Sequence, residues 1–392
     1  MNNEIYILGG ARTAIGTFGG SLSGVSPIDL AASVSKEAIQ RAEITAKDIG
    51  QVVFGHVINT EPKDMYLSRV AALKAGISDD TPAMNVNRLC GSGAQAIVSV
   101  FQSLMMEDAQ FGLAGGAENM SRSPHIIPAA RWGRKMGDTM VSDMMIGALT
   151  CPFGTGHMGV TAENVASELN ITRREQDIFA FDSQTKAKTA IEDGRFQEQI
   201  IPIQIKQRKG DITFSQDEHP KDTDLEQLSG LSTVFKKGGT VTAGNSSGIN
   251  DGAAALVLGT HKAILKNRLN PIAKILGYAQ TGVRPEVMGI GPISAVHKLC
   301  KKLHLEVNDF DIIESNEAFA AQACAVTKEL HLDPQRVNPN GGAIALGHPV
   351  GATGAILVIK VISELKRTNT KLGLVTMCIG GGQGIAIALQ MV

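Results

Sequence analysis

The two ends of the chain repeat one another, and this repeat is the strongest constraint on the fold. The repeated order is an apolar strand, a glycine-rich turn and an apolar helix. The corresponding segments are Val52–His56 with Ile312–Asn316, Val86–Asn87 with Val337–Asn338, and Phe111–Gly116 with Leu372–Val375. Such a repeat predicts two similar α/β halves. In sheets of this kind ligands bind beyond the carboxyl ends of the strands, where the glycine-rich turns lie.

Strand-like apolar runs alternate with helical patterns, which is typical of a mostly parallel sheet. Strands are predicted at Ile5–Gly10, Gln51–Val57, Phe111–Gly116, Ala254–Leu258, Asp311–Glu314 and Leu374–Met377. Helices are predicted at Pro27–Ala42, Leu67–Ala75, Gly93–Met106, Ala162–Glu168, Arg173–Glu192, Ala295–Leu303 and Thr353–Lys366. The stretch from about Ser121 to Leu231 fits neither half, and we expect it to form an inserted loop domain over the site.

Composition bounds the class of protein. The chain has 392 residues, of which 43% are hydrophobic and 19% charged, which indicates a compact globular protein. A net charge of −1 gives no electrostatic footprint for nucleic acid or an anionic membrane. No apolar run approaches the roughly 20 residues that a membrane span needs. We therefore expect neither nucleic acid nor a membrane as a partner.

Cysteine usage and the chain ends indicate the compartment. The five cysteines show no paired spacing, which argues against a disulfide framework. A predicted strand begins at Glu4, which leaves no room for a signal peptide, and the last residues are not a peroxisomal address. The sequence therefore predicts a cytoplasmic protein.

Cys90 is the first candidate for chemistry. It opens the run Cys90–Gly93 and precedes an apolar helix. The free N–H groups and the dipole at a helix N-terminus lower the pKa of a thiol, so the position predicts a reactive thiolate. For Cys90 taken alone, a buried structural cysteine is the alternative.

His348 and Cys378 lie in similar glycine-rich turns. Taken singly, His348 could be a core histidine and Cys378 a small residue at a strand end. Together they predict covalent acyl chemistry, in which His348 activates Cys90 and a thiolate of Cys378 removes a proton from carbon. Asn316 ends another predicted strand of the second half. It is either a helix N-cap or an amide that holds a water in an oxyanion hole.

Four segments in this order resemble the thiolase family, and most closely its bacterial short-chain β-ketothiolases (acetyl-CoA acetyltransferases). They are Asn87–Gly93, Asn316–Ala320, Asn340–Gly351 and Cys378–Gly384. The resemblance extends over the whole chain and implies two mixed-sheet α/β halves, stacked as α-β-α-β-α layers, plus an inserted loop domain. The implied domains are 1–120 completed by 232–270 for the N-terminal half, 121–231 for the loop domain, and 271–392 for the C-terminal half.

The resemblance implies a ping-pong Claisen reaction that makes acetoacetyl-CoA and CoA from two acetyl-CoA, or the reverse thiolysis. Cys90 would take the acyl group while His348 accepts its proton, and Cys378 would remove the α-proton of the second acetyl-CoA. His348 and a water on Asn316 would steady the enolate. The tetrahedral oxyanion would rest on the N–H groups of Cys90 and Gly380. The CoA thioesters are substrates, so the resemblance implies neither a cofactor nor a metal.

The resemblance also assigns contacts to the acyl-CoA substrate. The assigned residues are Ser247, His157, Met158, Leu149, Phe235, Ala243, Met288, Ala318, Phe319 and Lys221. Plain core packing is the alternative for Leu149, Phe235, Met288 and Phe319. Relatives carry Arg where this chain has Pro220 and Ser232, near the 3′-phosphate of CoA. Lys221 is expected to compensate for the first of these.

Two rival functions remain. One is a longer-chain 3-ketoacyl-CoA thiolase of fatty-acid β-oxidation, against which the His157–Met158 run and Met288 argue. The other is a non-catalytic acyl-CoA or lipid-binding protein on the same scaffold, against which the joint presence of the four candidate catalytic side chains argues. The family forms dimers and commonly tetramers, so we expect a homotetramer, a dimer of dimers, with Ser123–Met136 as a contact.

Two further motifs are weighed and set aside. Gly154–Gly159 fits G-x-G-x-x-G, but a dinucleotide site needs a strand just before the motif, and Pro152 spoils one there. His297, Cys300 and His304 have the spacing of one helix face and suggest a metal site. Neighbouring lysines crowd them with positive charge, and an amphipathic surface helix is the better interpretation.

Overall fold

The structure is a computed structural model that describes residues 4–206 and 210–392. Its strands are β1 (Ile5–Thr13), β2 (Gly16–Thr17), β3 (Ile49–Gly55), β4 (Ala83–Val86), β5 (Phe111–Asn119), β6 (His125–Ile126), β7 (Ser142–Asp143), β8 (Thr150–Cys151), β9 (Gly156–His157), β10 (Ile200–Ile201), β11 (Ile203–Ile205), β12 (Ile212–Phe214), β13 (Asn250–Thr260), β14 (Ala273–Gly282), β15 (Ile312–Ser315), β16 (Leu372–Ile379) and β17 (Gln383–Met391). Its α-helices are α1 (Pro27–Arg41), α2 (Leu67–Lys74), α3 (Ser92–Met105), α4 (Met144–Ala148), α5 (Met158–Glu168), α6 (Arg173–Glu192), α7 (Leu225–Gly230), α8 (His261–Asn267), α9 (Gly291–Leu303), α10 (Ala320–Glu329), α11 (Ala343–Leu346) and α12 (Thr353–Thr368).

The strand order confirms the predicted duplication. In the N-terminal half the order is β4-β3-β5-β13-β1, and in the C-terminal half it is β15-β16-β17-β14. Val337 forms a parallel bridge to Ile313 of β15, in the place that β4 holds beside β3. The two sheets meet edge to edge, where β1 pairs with β14 at Tyr6–Lys274 and Ile7–Ala273.

The expectation of a mostly parallel sheet is wrong, whereas the mixed sheet implied by the family is confirmed. Only the β3–β4, β3–β5 and β15–β16 pairs among the main strands of the two halves are parallel. The strands β13 and β17 run antiparallel to both of their neighbours, because β17 returns through a tight glycine turn and β13 through the long inserted segment. The sequence reasoning missed β14 and β17, whose glycines and alanines weaken the strand pattern.

Helices lie on both faces of each sheet, so the five-layer arrangement is confirmed. The helices α1 and α2 cover the outer face of the N-terminal sheet, and α9 and α10 cover that of the C-terminal sheet. Between the sheets lie α3 and α12, whose apolar side chains join one core cluster with strands of both halves. Twelve of the sixteen residues of α12 are buried, as expected of a helix that is enclosed on all sides.

The inserted segment between β5 and β13 carries α4 to α7 and three short hairpins. It is tied to the first half by Arg12, whose fully buried guanidinium pairs with both oxygens of Asp217 at 2.8 and 2.9 Å. Both charges are shielded from water, so the pair fixes the path of the chain that follows Asp217. The exact domain boundaries given above stay a prediction.

The structure also bears on the motifs that were set aside. Gly154–Gly159 spans the turn and second strand of the β8–β9 hairpin and enters α5, which is not a strand-turn-helix nucleotide site. His297 is exposed, whereas Cys300 belongs to a buried apolar cluster. Within residues 4–206 and 210–392 no group of three or more His, Cys, Asp or Glu could hold a metal ion. No helix in the same ranges is long and apolar enough to cross a membrane.

Candidate active site

Cys90 lies two residues before α3, as predicted. The preceding Leu89 has φ = 45°, in the left-handed region that a branched side chain rarely adopts. Ser92 holds this turn, because its hydroxyl accepts from the N–H of Arg88 at 2.9 Å and donates to the carbonyl of Leu89 at 2.6 Å. Local strain of this kind is common where a reactive side chain must be presented in a fixed direction.

The expected low pKa of the Cys90 thiol is wrong in its direction. Burial raises the pKa of Cys90, and the charge of Glu118 raises it further. The backbone N–H groups of Gly380 and of Cys90 itself oppose this rise only in part. Desolvation therefore outweighs the helix N-terminus, and the thiol needs a neighbouring base to react.

His348 is such a base. Its Nδ1 lies 2.6 Å from the hydroxyl of Thr353, and that hydroxyl donates its one proton to the carbonyl of Pro349 at 2.8 Å. Nδ1 must then carry the hydrogen, which leaves the lone pair on Nε2. Burial lowers the pKa of His348 to about 4, so the ring is neutral near pH 7 and free to take a proton.

Asn316 lies beside this histidine. It is fully buried, and its Nδ2 is 3.4 Å from Nε2 of His348. It is not a helix N-cap, because the N-cap of α10 is Phe319. Its Oδ1 has no hydrogen-bond partner among the described residues. An amide and an imidazole nitrogen thus share one buried spot, which is the arrangement that a developing oxyanion requires.

Cys378 and Gly380 complete the cluster. Cys378 is fully buried near the end of β16, and burial together with the charge of Cys90 raises the pKa of its thiol. A side chain at Gly380 would collide with Met158 and Leu89, at 2.7 and 3.0 Å from its first carbon. Both of the contacted atoms are the flexible ends of side chains, and the N–H of Gly380 faces the sulfur of Cys90, where it lowers the pKa of that thiol.

A narrow inner pocket of about 50 Å³ contains the reacting groups. The predicted residues that line it are Cys90, His348, Gly380, Ser247, Met158, Leu149, Met288, Ala318 and Phe319. Cys378 and Asn316 lie behind its wall and are linked to it through Cys90 and His348. The five predicted catalytic residues are thus brought together from both halves of the molecule.

A wider outer cleft of about 550 Å³ leads to this pocket. The predicted residues that line it are Leu149, His157, Lys221, Phe235, Ala243, Ser247, Phe319 and His348. All ten predicted substrate contacts therefore line the inner pocket, the outer cleft or both. Neither Pro220 nor Ser232 lines the cleft.

An aromatic wall forms one side of the cleft. The ring of His157 stacks on Phe235 with centroids 4.6 Å apart, and Phe235 meets Phe319 edge-on at 6.1 Å. Nδ1 of His157 accepts from the N–H of Gly159 at 3.1 Å, so Nε2 carries the hydrogen of the neutral ring. Burial lowers the pKa of His157, which keeps it neutral. These three residues therefore line the cleft as well as pack against one another.

Sequence reasoning missed two polar residues of the site. Thr353 sets the tautomer of His348, and a hydroxyl five residues after a histidine, at the start of a helix, was a signal for it. His219 lines the outer cleft beside Lys221, and burial together with the charge of Lys221 lowers the pKa of His219 to about 4. Its Nδ1 has no partner among the described residues.

Comparison with known proteins agrees with this geometry. Residues 5–262 match the model of the thiolase N-terminal domain, and residues 269–391 match that of the thiolase C-terminal domain. The chain belongs to the thiolase family. It is 53% identical to the beta-ketothiolase BktB of Cupriavidus necator, with 100% of both chains covered. It is 46% identical to the acetyl-CoA acetyltransferase of Escherichia coli, with 98% of both covered.

Solved structures of this family superpose on the thiolase described here over its whole length. The Bacillus anthracis acetyl-CoA acetyltransferase matches with a TM-score of 0.98 and 42% identity, covering 100% of both chains. The human mitochondrial 3-ketoacyl-CoA thiolase in complex with CoA matches with a TM-score of 0.96 and 40% identity, covering 100% of this chain and 98% of that one. The fold is therefore that of a thiolase throughout.

Proposed function

We propose that this thiolase is an acetyl-CoA C-acetyltransferase that condenses two acetyl-CoA reversibly to acetoacetyl-CoA and CoA through an acetyl-Cys90 intermediate. The observation that carries the proposal is the joint position of two thiols, a neutral imidazole and an amide around one enclosed pocket. The names of the relatives, acetyl-CoA acetyltransferase and beta-ketothiolase, support the same activity.

In the first half-reaction Nε2 of His348 takes the proton of Cys90, and the sulfur attacks the thioester carbon of acetyl-CoA. The oxyanion accepts from the N–H groups of Cys90 and Gly380, which act on the Cys90 sulfur in the free enzyme. The CoA thiolate leaves and takes a proton from Cys378. The high pKa of Cys378 suits this step, because it keeps the thiol protonated until the leaving group needs the proton.

In the second half-reaction Cys378 is the base. A thiolate at Cys90 is one cause of the raised pKa of Cys378, and acetyl-Cys90 is an uncharged thioester, so the thiolate of Cys378 becomes easier to form once Cys90 is acylated. It takes the α-proton of a second acetyl-CoA, and protonated His348 with Asn316 binds the enolate oxygen. The carbon attacks acetyl-Cys90, and the released Cys90 sulfur recovers its proton from His348. Protons and bonds balance over the cycle.

The inner pocket favours short acyl groups. A volume of about 50 Å³ holds on the order of four water-sized groups, which accommodates acetyl and its near homologues. Met288 and Phe319 close the pocket and are themselves almost fully buried. A long acyl chain would have to displace such side chains, so the longer-chain thiolase of fatty-acid breakdown fits this pocket less well.

The outer cleft is proposed to hold the pantetheine arm and nucleotide of CoA, which enters as substrate. Its volume of about 550 Å³ suits a large ligand, and Lys221 and Ser247 are among the residues that line it. Lys221 supplies a positive charge for phosphate in a chain that lacks arginine at Pro220 and Ser232. No other cofactor takes part in the proposed reaction.

The proposal extends to a cytoplasmic homotetramer, a dimer of dimers. Support comes from the segment around Ser123–Met136, where Trp132 and Met136 are 90% and 89% exposed. Large apolar side chains so exposed are typical of a surface that another subunit covers. Light scattering measures the molar mass of the natural protein and of a Trp132→Ser variant. Equal masses for the two proteins would argue that this segment is not part of the interface.

Kinetics test the proposed reaction. Thiolysis is measured on 3-ketoacyl-CoAs of four, five and six carbons, with Cys90→Ala as the blank, and intact mass after acetyl-CoA treatment reports the adduct. We expect an acetyl group on Cys90 and the highest kcat/KM for four or five carbons. A strong preference for six carbons would favour the longer-chain thiolase, and a missing adduct would favour a binding protein.

A further inference from the structure

We propose that Glu118 is a positioning residue for this reaction, because one buried carboxylate holds a catalytic loop from each half of the molecule. Glu118 is the next-to-last residue of β5 and is fully buried. Its Oε2 accepts from the N–H groups of Val57 at 3.1 Å and Gly351 at 2.9 Å, and its Oε1 accepts from Ile58 at 3.1 Å. The inference rests on the proposed function.

The two loops that Glu118 joins both form the inner pocket. Val57 follows β3 of the N-terminal half and lines the pocket itself. Gly351 comes three residues after His348 in the C-terminal half, and its neighbour Val350 also lines the pocket. The carboxylate therefore fixes the wall beside Cys90 relative to the loop that carries the base.

The two halves pack closely where Glu118 meets Gly351. A side chain at Gly351 would place its first carbon 2.5 Å from Oε2 of Glu118. One at Gly116, two residues before Glu118, would lie 2.1 Å from the carbonyl oxygen of Gly351. Glycine at both positions lets the backbone of one half touch the strand and the carboxylate of the other. A shorter side chain at position 118 would therefore stretch or lose its hydrogen bonds to one loop or the other.

Charge gives Glu118 a second effect on the site. Burial raises the pKa of Glu118, whereas its three backbone donors and His56 lower it. Nδ1 of His56 donates to the carbonyl of Ala117 at 2.8 Å and lies 3.5 Å from Oε1 of Glu118, and Nε2 lies 3.8 Å from Asp64. The charge of Glu118 in its ionised form raises the pKa of Cys90 in turn. The residue thus acts on the nucleophile through space and on the pocket through hydrogen bonds.

Glu163 is the matched control. It is also a buried glutamate whose oxygens accept from backbone N–H groups of another segment, at Thr240 and Val241, at distances of 2.8 and 2.9 Å. It does not act on the pKa of Cys90. Glu163→Gln should therefore cost stability as Glu118→Gln does, without the effects on the nucleophile.

The experiment compares Glu118→Asp, Glu118→Gln and Glu163→Gln in the full chain. It measures kcat and KM for acetoacetyl-CoA thiolysis and the pH dependence of Cys90 alkylation by iodoacetamide, followed on the Cys90 peptide by mass spectrometry. Aspartate keeps the negative charge, but its side chain is one carbon shorter, so kcat should fall at least about tenfold. The KM should stay within about twofold, and the alkylation profile should not change. Gln should lower kcat and also move the alkylation profile to lower pH, because a negative charge is removed.

Two results would overturn the inference. One is a kcat of Glu118→Asp equal to that of the natural protein. The other is an alkylation profile of Glu118→Gln that coincides with the profiles of the natural protein and of Glu163→Gln. Should Glu118→Gln fail to fold, Glu118→Asp decides alone. The natural protein separates this inference from the proposed function: without thiolysis in that protein the proposed function fails, while the alkylation series still tests the action of Glu118 on Cys90.

Discussion

The inner pocket and the outer cleft of this thiolase work by different physics. The pocket, about 50 Å³, is lined by buried and half-buried residues of both halves and of the inserted segment, and burial raises the pKa of both thiols and lowers that of His348. The cleft, about 550 Å³, is lined largely by the inserted segment and opens at the exposed Lys221.

From this difference we expect desolvation to control the chemical steps in the pocket, and exposed charge and shape to control binding in the cleft. In the pocket Cys90, Cys378 and His348 are all neutral before the reaction begins. Each proton transfer must therefore be made between neighbouring groups held at fixed distances. In the cleft a charge stays solvated and contributes less per contact. Changes in the pocket should therefore act on kcat, and changes in the cleft on KM.

The largest expected effect separates the two thiols. Cys90→Ala should lower thiolysis of acetoacetyl-CoA at least about a thousandfold and give no acetyl adduct, since the nucleophile is lost. Cys378→Ala should still form the adduct but fail to condense it. Intact mass and initial rates measure both, and binding of CoA in the cleft, followed by calorimetry, should survive in each variant. Loss of CoA binding would contradict the separation of the two regions.

A smaller effect is expected at Thr353. Thr353→Val removes the acceptor of the Nδ1 hydrogen of His348, so the ring loses its fixed tautomer and orientation. We expect kcat to fall about tenfold or more with KM little changed. Thr353→Ser keeps the hydroxyl and is the matched control. Equal rates for the two variants would show that the tautomer is set in another way.

In the cleft, Lys221→Gln should raise KM for acetoacetyl-CoA about fivefold with kcat within about twofold, because the variant loses the charge proposed to bind the CoA phosphates. The KM of the natural protein should rise with salt, and that of the variant should rise less. Lys221→Arg should preserve KM, and Lys266→Gln on α8 is the surface control. A fall in kcat as large as the rise in KM would argue that the cleft also shapes the pocket.

The smallest effect concerns stability. The folded pKa of His219 is about 4, whereas the unfolded chain titrates near 6.5, so between these values the unfolded state binds a proton that the folded state does not. The contribution of neutral His219 to the free energy of unfolding is therefore complete above about pH 6.5 and is lost as the pH falls toward 4. Burial also raises the pKa of Asp251 to about 6, which lies in the same window, so the difference between His219→Gln and the natural protein is the quantity to measure.

Between pH 7 and pH 5 the free energy of unfolding of His219→Gln should fall by about 1 kcal/mol less than that of the natural protein. This figure allows for the partial exposure of the ring. Denaturant unfolding at both pH values measures this. His297→Gln, on the exposed side of α9, is the control. Parallel stability curves for His219→Gln and the natural protein would mean that water reaches His219 in the folded state.

The sequence predicted the duplicated α/β plan because apolar runs, glycine turns and helical spacing are local signals that survive in both halves. It predicted the positions of Cys90 and Cys378 for the same reason, since one precedes α3 and the other lies near the end of β16. It failed on β14 and β17, where glycine and alanine occupy several buried positions and weaken the apolar pattern of a strand.

The sequence by itself determined which groups could react: two thiols, an imidazole and an amide, each close to the end of a strand or helix or in a glycine-rich turn. Only the tertiary structure decided how they would behave. The position of Cys90 just before the N-terminus of α3 predicted a low pKa for its thiol. Burial between the halves and the charge of Glu118 raise that pKa instead. Desolvation depends on what the rest of the chain brings around a group, and segments far apart in sequence supply it here.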